Sequence, residues 1–139
     1  LQYPQAVTML KKLLNVAEKE NLIFGVKLSN TLPVVNKKEL LPGDEMYMSG
    51  RTLYPLTINL ARKLANEFNG NLKISYSGGA NYFNIDEIYK SGIRPITLAT
   101  DILKPGGYSK LKQMAEKLDG LIDKYKLENI DLDRLNKLA

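Results

Sequence analysis

The sequence contains no cysteine and no histidine. Without cysteine the chain forms neither disulfides nor thiolate metal sites, and without histidine we expect no zinc chemistry and no metal site. The sequence also has no apolar run close to the roughly 20 residues that cross a bilayer, so we expect no membrane partner.

Charge and length narrow the class further. The formal charge is +5, and the lysines are spread among acidic neighbours, which is typical of solvated helix faces rather than of nucleic-acid binding. With 139 residues and 44% apolar content, the chain is long enough for one domain, which we place at 1–139. It starts at Leu1 without a methionine or a signal sequence, so we expect an excised or cleaved segment of a cytoplasmic protein.

The chain is organised around two adjacent glycines, Gly78 and Gly79, which follow the apolar-biased run 74–77 and precede a helix start at 84–87. This order predicts strand, turn and helix. Glycine permits positive φ and lets a ligand approach bare N–H groups, so paired glycines after a strand suit a phosphate. An ordinary tight turn would use the same pair, and the next unit of the chain decides between the two.

One βα unit later the pattern recurs. The run 95–100 predicts a second strand, and residues 101–104 predict a one-turn helical piece closed by Pro105, Gly106 and Gly107. In a (β/α)₈ barrel, the loops after the last two strands and a short extra helix form the usual phosphate site, and a complete barrel needs about 250 residues. The sequence therefore predicts an α/β fold, the C-terminal portion of a TIM barrel with parallel strands alternating with helices.

Apolar residues at spacings of three and four predict the longer helices. These are a helix from Pro4 to Glu20, one ending near Asn69-Gly70, a long one from Tyr108 and a last one from Asp131. The stripes expected to be buried are Ala6, Leu10, Leu13 and Ala17, widened by Val7 and Leu14; Leu53, Leu56, Leu60, Leu64 and Phe68; and Tyr108, Leu111, Ala115, Leu118, Ile122 and Tyr125.

The other segments are shorter. Residues Leu22–Leu28 form a nearly continuous apolar run, which predicts a parallel strand covered on both faces. Ser29–Glu45 reads as a loop in which any strand or helix is short, and Glu45–Met48 as a short strand. Asn84 and Glu87 have the spacing of a capping box, which predicts the start of a short helix.

Lys27 interrupts the apolar run 22–28. A buried ammonium group needs an acceptor, because burying an unpaired charge is costly. The residues alone favour the other interpretation, a lysine near the strand end that extends into solvent.

Four motifs occur in one order, and the ordered set is more specific than any one of them. They are Phe24-Gly-Val-Lys-Leu-Ser-Asn-Thr, Met48-Ser-Gly-Arg-Thr-Leu-Tyr-Pro-Leu, Ser75-Tyr-Ser-Gly-Gly-Ala and Leu98-Ala-Thr-Asp-Ile-Leu-Lys-Pro-Gly-Gly-Tyr. Together they resemble the carboxyl-terminal part of the flavin barrel of the dihydroorotate dehydrogenase family. Among such proteins they resemble selenate reductase subunits, long iron–sulfur flavoproteins related in part to dihydropyrimidine dehydrogenase and to the small subunit of glutamate synthase.

The resemblance implies FMN as a cofactor of the full-length protein, with iron–sulfur centres and FAD or NAD(P) in other domains. The implied FMN contacts are Lys27 with the electron-rich edge of the ring, Ser49 and Gly50 with the ribityl and phosphate side, and Gly78, Gly79, Ala99 and Thr100 with the phosphate through their backbone N–H groups. A positive charge at the ring edge would stabilise anionic reduced flavin.

Two departures from the family pattern stand out. Related barrels place a helix and a further strand between the motifs that contain Lys27 and Ser49, whereas here only Ser29–Met48 separates them. Asn30 and Thr31 are the candidates for what is left of that strand. The family's base and substrate-binding asparagines belong largely to strands absent from this sequence, so no catalytic base is assigned.

Three functions remain open. The first is a segment of an oxidoreductase that transfers electrons through flavin, with the rest of a longer redox polypeptide and other redox subunits as partners. The second is a cofactor-free barrel remnant that acts as a scaffold or docking domain, and the third is a phosphosugar-type barrel enzyme. We expect the isolated segment to bind no flavin, to be inactive, and to form a homodimer through the strand near Phe24 or the helix near Pro4.

Overall fold

The computed structural model describes residues 2–38 and 42–139. The described part of the chain contains five α-helices and five β-strands. They are α1 Tyr3–Lys19, β1 Gly25–Leu28, β2 Leu32–Val35, β3 Glu45–Met48, α2 Tyr54–Glu67, β4 Lys73–Ser77, α3 Ile85–Lys90, β5 Ile96–Thr97, α4 Gly107–Ile122 and α5 Leu132–Leu138, with a 3-10 helix Gly50–Leu53 before α2.

Strands β1, β4 and β5 form one parallel sheet in that order. Val26 is paired with Ile74 between β1 and β4, and Ser77 with Thr97 between β4 and β5. Each connection between neighbouring strands contains at least one helix, as parallel strands require. The predicted α/β arrangement of parallel strands alternating with helices is therefore confirmed.

The two faces of this sheet differ. One face is covered by the helices, and its strand residues Leu28, Ile74 and Tyr76 are buried in the core together with side chains of α1 and α2. The opposite face carries Lys27, which is exposed, and Ser75, which is half-buried. In a closed barrel the second face would line the interior. The prediction of a strand covered on both faces is therefore wrong, and Leu22 and Ile23, included in that strand, lie before it and are exposed.

The first two helices have the predicted bounds to within a few residues, and most of each predicted stripe is buried or packs against the core, with one leucine of each stripe exposed. In α1 the buried residues are Val7, Leu10 and Ala17, whereas Leu13 is 41% exposed. In α2 they are Thr57, Ile58, Ala61, Leu64 and Ala65, whereas Leu56 is 51% exposed. The spacing of the leucines therefore located the contact face of α2, but it did not identify the smaller residues Thr57, Ala61 and Ala65 that complete this face.

The predicted loop Ser29–Glu45 contains a strand. Strands β2 and β3 form an antiparallel hairpin in which Leu32 is paired with Met48, and β3 confirms the predicted strand Glu45–Met48. Asn30 and Thr31 lie outside both strands, so they are not the remnant of a parallel strand. The hairpin leaves β1 directly paired with β4. The middle of the predicted loop, residues 39–41, lies outside the described residues.

The segment after β4 departs from expectation at two places. β5 spans two residues rather than the predicted six, and residues 101–104 form hydrogen-bonded turns closed onto the Ala99 carbonyl instead of a helical piece. The stripe predicted to be buried along α4 is largely exposed, with Tyr108 80% and Ile122 49% exposed, and Met114 is buried instead. No helix in the described part of the chain is long and apolar enough to span a membrane.

Several helix ends follow their sequence signals. Asn69 and Gly70 have positive φ after α2, and the Gly70 N–H donates to the Ala65 carbonyl, as a left-handed cap does. The last helix begins after Asp131, whose carboxylate accepts the Arg134 N–H. The capping box at Asn84 and Glu87 is not formed, because the Asn84 side chain makes no cap hydrogen bond to α3.

Candidate functional site

A cavity of about 360 Å³ lies where the chain leaves β1, β4 and β5, at the carboxyl ends of the parallel strands. Four segments line it. Its residues are Ser29, Asn30, Thr31, Ser49, Gly50, Leu53, Ser77, Gly78, Gly79, Ala80, Thr97, Ala99 and Thr100. This volume falls within the range of about 300–1,000 Å³ of small-molecule sites, and the carboxyl ends of parallel strands are where barrels bind ligands.

The loops that contain Gly50, Gly79 and Thr100 are in close contact with one another at the cavity. Gly79 has φ +74°, and a Cβ there would overlap the Gly50 carbonyl oxygen. Gly50 itself has φ +64°, and its Cβ would lie 2.9 Å from the Thr100 Cγ2. A side chain at Gly79 is thus disfavoured by backbone conformation and by contact. The backbone at Gly50 is thus in close contact with the loops of Gly79 and Thr100.

Gly78 has a different neighbour. A Cβ at Gly78 would lie 2.5 Å from the hydroxyl of Thr57, a buried residue of α2. The Thr57 hydroxyl is also 2.9 Å from the Ser29 hydroxyl, which links α2 to the cavity wall. An added side chain at Gly78 would therefore meet α2. The glycine turn serves the packing of the loops as well as any ligand.

The strand ends around the cavity carry unused backbone donors. Within the described residues, no protein acceptor takes the N–H groups of Gly78, Gly79, Ala80, Ala99 or Thr100. All five residues line the cavity. Backbone N–H groups away from water are nearly always paired in folded proteins, so a cluster of unused donors suits an anion.

The cavity wall has no charged side chain among its described residues; the polar groups are hydroxyls, one side-chain amide and the backbone. A phosphate would therefore meet no repelling carboxylate in the wall and would be held by dipoles rather than by a cation. Beneath the cavity, the side chain of Tyr76 is fully buried. Burial, with a smaller contribution from Tyr54, raises its pKa far above the usual value, so the phenol stays protonated and supplies no base.

Lys27 is not part of the cavity wall. In β1 it precedes the buried Leu28 and pairs with Ser75 of β4, and neighbouring residues of a strand point to opposite faces of the sheet. Lys27 therefore lies on the open sheet face. It is exposed, in agreement with the sequence-based interpretation of a lysine that reaches solvent.

The structure brings together all predicted phosphate-side and ribityl-side residues and leaves out the ring-side one. Ser49, Gly50, Gly78, Gly79, Ala99 and Thr100 line one cavity, and Lys27 does not. The cavity is also lined by five polar residues for which the sequence predicted no role at this site: Ser29, Asn30, Thr31, Ser77 and Thr97. Their common signal is a hydroxyl or amide side chain at or just after the end of a strand.

The sequence matches a known protein family and two known proteins. The family model described as oxidoreductase YgfK, N-terminal TIM-barrel domain, matches residues 1–139. YgfK of Escherichia coli strain K12, a proposed oxidoreductase, is 52% identical over 139 residues, and so is YgfK of E. coli O157:H7. The chain covers 13% of the length of these relatives.

One solved structure is similar in fold. The crystal structure of DHODH from Eimeria tenella, in complex with ferulenol, matches with a TM-score of 0.58 and 20% identity, over 86% of this chain and 33% of that one. This likeness supports a barrel fold of the dihydroorotate dehydrogenase type. Which third of that barrel the chain corresponds to stays a prediction.

Proposed function

The chain belongs to the family of the N-terminal TIM-barrel domain of oxidoreductase YgfK, and from this premise we propose that it supplies the phosphate-binding side of an FMN site. In this proposal the domain is part of a flavin-dependent oxidoreductase. The observation that carries it is the set of N–H donors at the ends of β4 and β5 that no acceptor among residues 2–38 and 42–139 uses, in a cavity to which those residues contribute no carboxylate.

The residues of the cavity fit the phosphate end of such a cofactor. Gly78, Gly79 and Thr100 belong to two neighbouring loops that line the cavity, and barrels that bind phosphate do so with the loops after their last two strands. Ser49 lies in the third loop, where its hydroxyl suits a ribityl chain. FMN, when bound, would supply electron or hydride transfer, and this chain's part is to hold and orient the phosphate.

Lys27 has a separate place in the proposal. A flavin ring attached to a phosphate in the cavity would extend over the open sheet face, where Lys27 lies. A cation there would favour the anionic reduced ring. This role is proposed from the resemblance and from the position of Lys27 on the open sheet face.

The proposal extends to the whole polypeptide only by resemblance. Relatives about eight times longer than this chain leave room for iron–sulfur, FAD and NAD(P) modules, through which electrons would pass to or from FMN. By the same resemblance, we propose that the full polypeptide is similar to selenate reductase subunits. The word selenate is here only part of the family's label and does not identify a substrate.

A cofactor-free scaffold is the second candidate. The observation that favours it is the direct pairing of β1 with β4, which leaves a hairpin where flavin barrels of this type have a further parallel strand. Losing that strand would change the ring side of the site and leave the phosphate loops in place.

The test is the flavin content of the purified full-length protein, measured by its visible absorbance. We expect bound FMN, and we expect Ala99→Asp to lower the FMN to protein ratio at least about tenfold, since a carboxylate beside the phosphate opposes binding. Ala99 is exposed and lines the cavity, so Ala99→Asn is the matched control of equal size without charge.

The outcomes separate the candidate functions. FMN in the control but not in the aspartate variant supports the proposal. An unmodified protein without flavin contradicts it and favours the scaffold, or a phosphosugar-type enzyme if a phosphorylated sugar binds instead. Equal FMN in both variants would place the phosphate elsewhere.

A further inference from the structure

We propose that Asn81 and Asn84 are positioning residues that hold the Gly79 carbonyl and so present the Ala80 N–H to an anion in the cavity. The proposal rests on the phosphate site above and adds the side chains that set its geometry. Neither asparagine lines the cavity, so neither is assigned a contact with the ligand.

The Gly79 carbonyl accepts two side-chain hydrogen bonds. The Asn81 Nδ2 donates to it at 3.1 Å and the Asn84 Nδ2 at 3.2 Å. The oxygen atoms of the same two amides are also used: the Asn84 Oδ1 accepts the Asn81 N–H at 2.8 Å, and the Asn81 Oδ1 accepts the Phe83 N–H at 2.9 Å. We call this arrangement of Asn81 and Asn84 around the Gly79 carbonyl the asparagine clasp.

The clasp fixes the plane of one peptide. In a trans peptide the C=O and the following N–H point in opposite directions, so holding the Gly79 carbonyl also sets the direction of the Ala80 N–H. Within the described residues that N–H has no acceptor, and Ala80 lines the cavity. Glycine is the residue least able to hold its own conformation, which is why an external restraint at Gly79 has an effect.

The amide is the side chain that this arrangement needs. Each asparagine donates to the Gly79 carbonyl and accepts a backbone N–H at the same time, which a carboxylate or an aliphatic side chain of similar size cannot do. Asn81 is only 6% exposed, so its hydrogen bonds are made away from competing water. The spacing that resembled a capping box is thus used to restrain the preceding loop.

The test uses the 139-residue chain, Asn84→Ser, and inorganic phosphate as the probe. Serine keeps a hydroxyl that can accept the Asn81 N–H, but it is too short to donate to Gly79 as the amide does. Binding is followed by the ¹H–¹⁵N resonances of Gly79 and Ala80, together with their backbone order parameters without phosphate. Asn59→Ser is the matched control, because the Asn59 amide also donates to two backbone carbonyls, those of Pro55 and Ala139, and does not line the cavity.

We expect Asn84→Ser to lower the order parameter of Ala80 and to weaken phosphate binding about tenfold, the effect of misplacing one donor to a charged group. Asn59→Ser should change neither. If Asn84→Ser unfolds the chain, Asn84→Asp, which keeps the acceptor and loses the donor, takes its place. Equal phosphate affinity and equal order in the variant would overturn the clasp. An unmodified chain whose resonances do not respond to phosphate would overturn the proposed site itself.

Discussion

At the scale of single residues, a comparison of Gly79 with Gly106 distinguishes two destabilising effects of an added side chain, backbone strain and steric overlap. Both have positive φ, +74° and +72°, but a Cβ at Gly79 would overlap the Gly50 carbonyl, whereas nothing lies within 4 Å of a Cβ at Gly106. We expect Gly106→Ala to destabilise the fold by about 1 kcal/mol through backbone strain alone. Gly79→Ala should cost roughly 1–3 kcal/mol more, since the loops must also move apart.

Urea unfolding of both variants measures this difference directly. Equal destabilisation would mean that the loop of Gly50 yields without cost, and that the three loops are not held at the observed separation. The comparison does not require a ligand, so it tests the construction of the cavity independently of its occupant.

The sequence predicted these loop residues well and the strand-end polar residues poorly. Gly78 and Gly79 were identifiable because the strand and turn that contain them are followed, one βα unit later, by a second strand and turn. Thr57 was not, because a threonine inside a predicted helix carries no signal of its own, and its burial depends on how α2 packs in the fold. The asparagine clasp could not be predicted from the sequence, because Asn84 and Glu87 match a common helix start. Only the fold shows that the Asn84 amide donates back to the Gly79 carbonyl.

At the scale of elements, an ion-pair network joins α3 to α4 and α5. The Asp86 carboxylate lies 2.7 Å from the Lys117 ammonium and 3.2 Å from that of Lys90, and Glu87 is 3.4 Å from the Arg134 guanidinium. Burial alone would raise the pKa of Asp86, but the hydrogen bonds and charges of Lys117 and Lys90 outweigh it and hold the pKa below its usual value.

The direction of this pKa shift determines how the contribution of Asp86 to stability depends on pH. Because the folded-state pKa of Asp86 is depressed, its contribution to stability is fully present above the ordinary value of 3.8 and is lost as the pH falls through the lower folded value. We expect Lys117→Met to lower the free energy of unfolding by about 1 kcal/mol at pH 7. Below the depressed folded-state pKa of Asp86, the difference in stability between the variant and the unmodified chain should shrink.

Lys112 provides the control on the same helix. Its pair with Glu116 is 3.8 Å long and both side chains are mostly exposed, so Lys112→Met should change stability by less than about 0.5 kcal/mol. Thermal unfolding across pH 2–8 compares the two variants. A Lys117→Met effect that persists unchanged at the acidic end would show that the lost contacts with Tyr82, the ring contact and the hydrogen bond to its carbonyl, are responsible rather than the pair with Asp86.

At the scale of the whole molecule, the two edge strands leave apolar helix faces uncovered. β1 and β5 are the edges of the parallel sheet, and the helices beside them in sequence, α1 and α4, expose apolar residues. These are Met9, Leu13 and Val16 on α1 and Tyr108, Leu111 and Ile122 on α4. In a closed barrel such faces meet neighbouring βα units.

For the isolated chain we propose that a second copy covers the α1 face and the free edge of β1, giving a homodimer. Sedimentation equilibrium at about 10–100 µM should show it. Val16→Lys should shift the chain toward monomer, because Val16 is 57% exposed on that face. Leu103→Lys, at an equally apolar but 86% exposed position after β5, is the control. A monomer at all these concentrations would contradict the proposal.

The open sheet face should affect the heat capacity change of unfolding, which calorimetry measures. The heat capacity change of unfolding grows with the apolar surface that folding buries, at about 12–15 cal/mol/K per residue for ordinary domains. A chain with one sheet face and two helix faces in water buries less, so its heat capacity change and its urea m-value should lie below those of a closed domain of equal length. Both should increase toward the ordinary range wherever the missing part of a barrel is present to cover those faces.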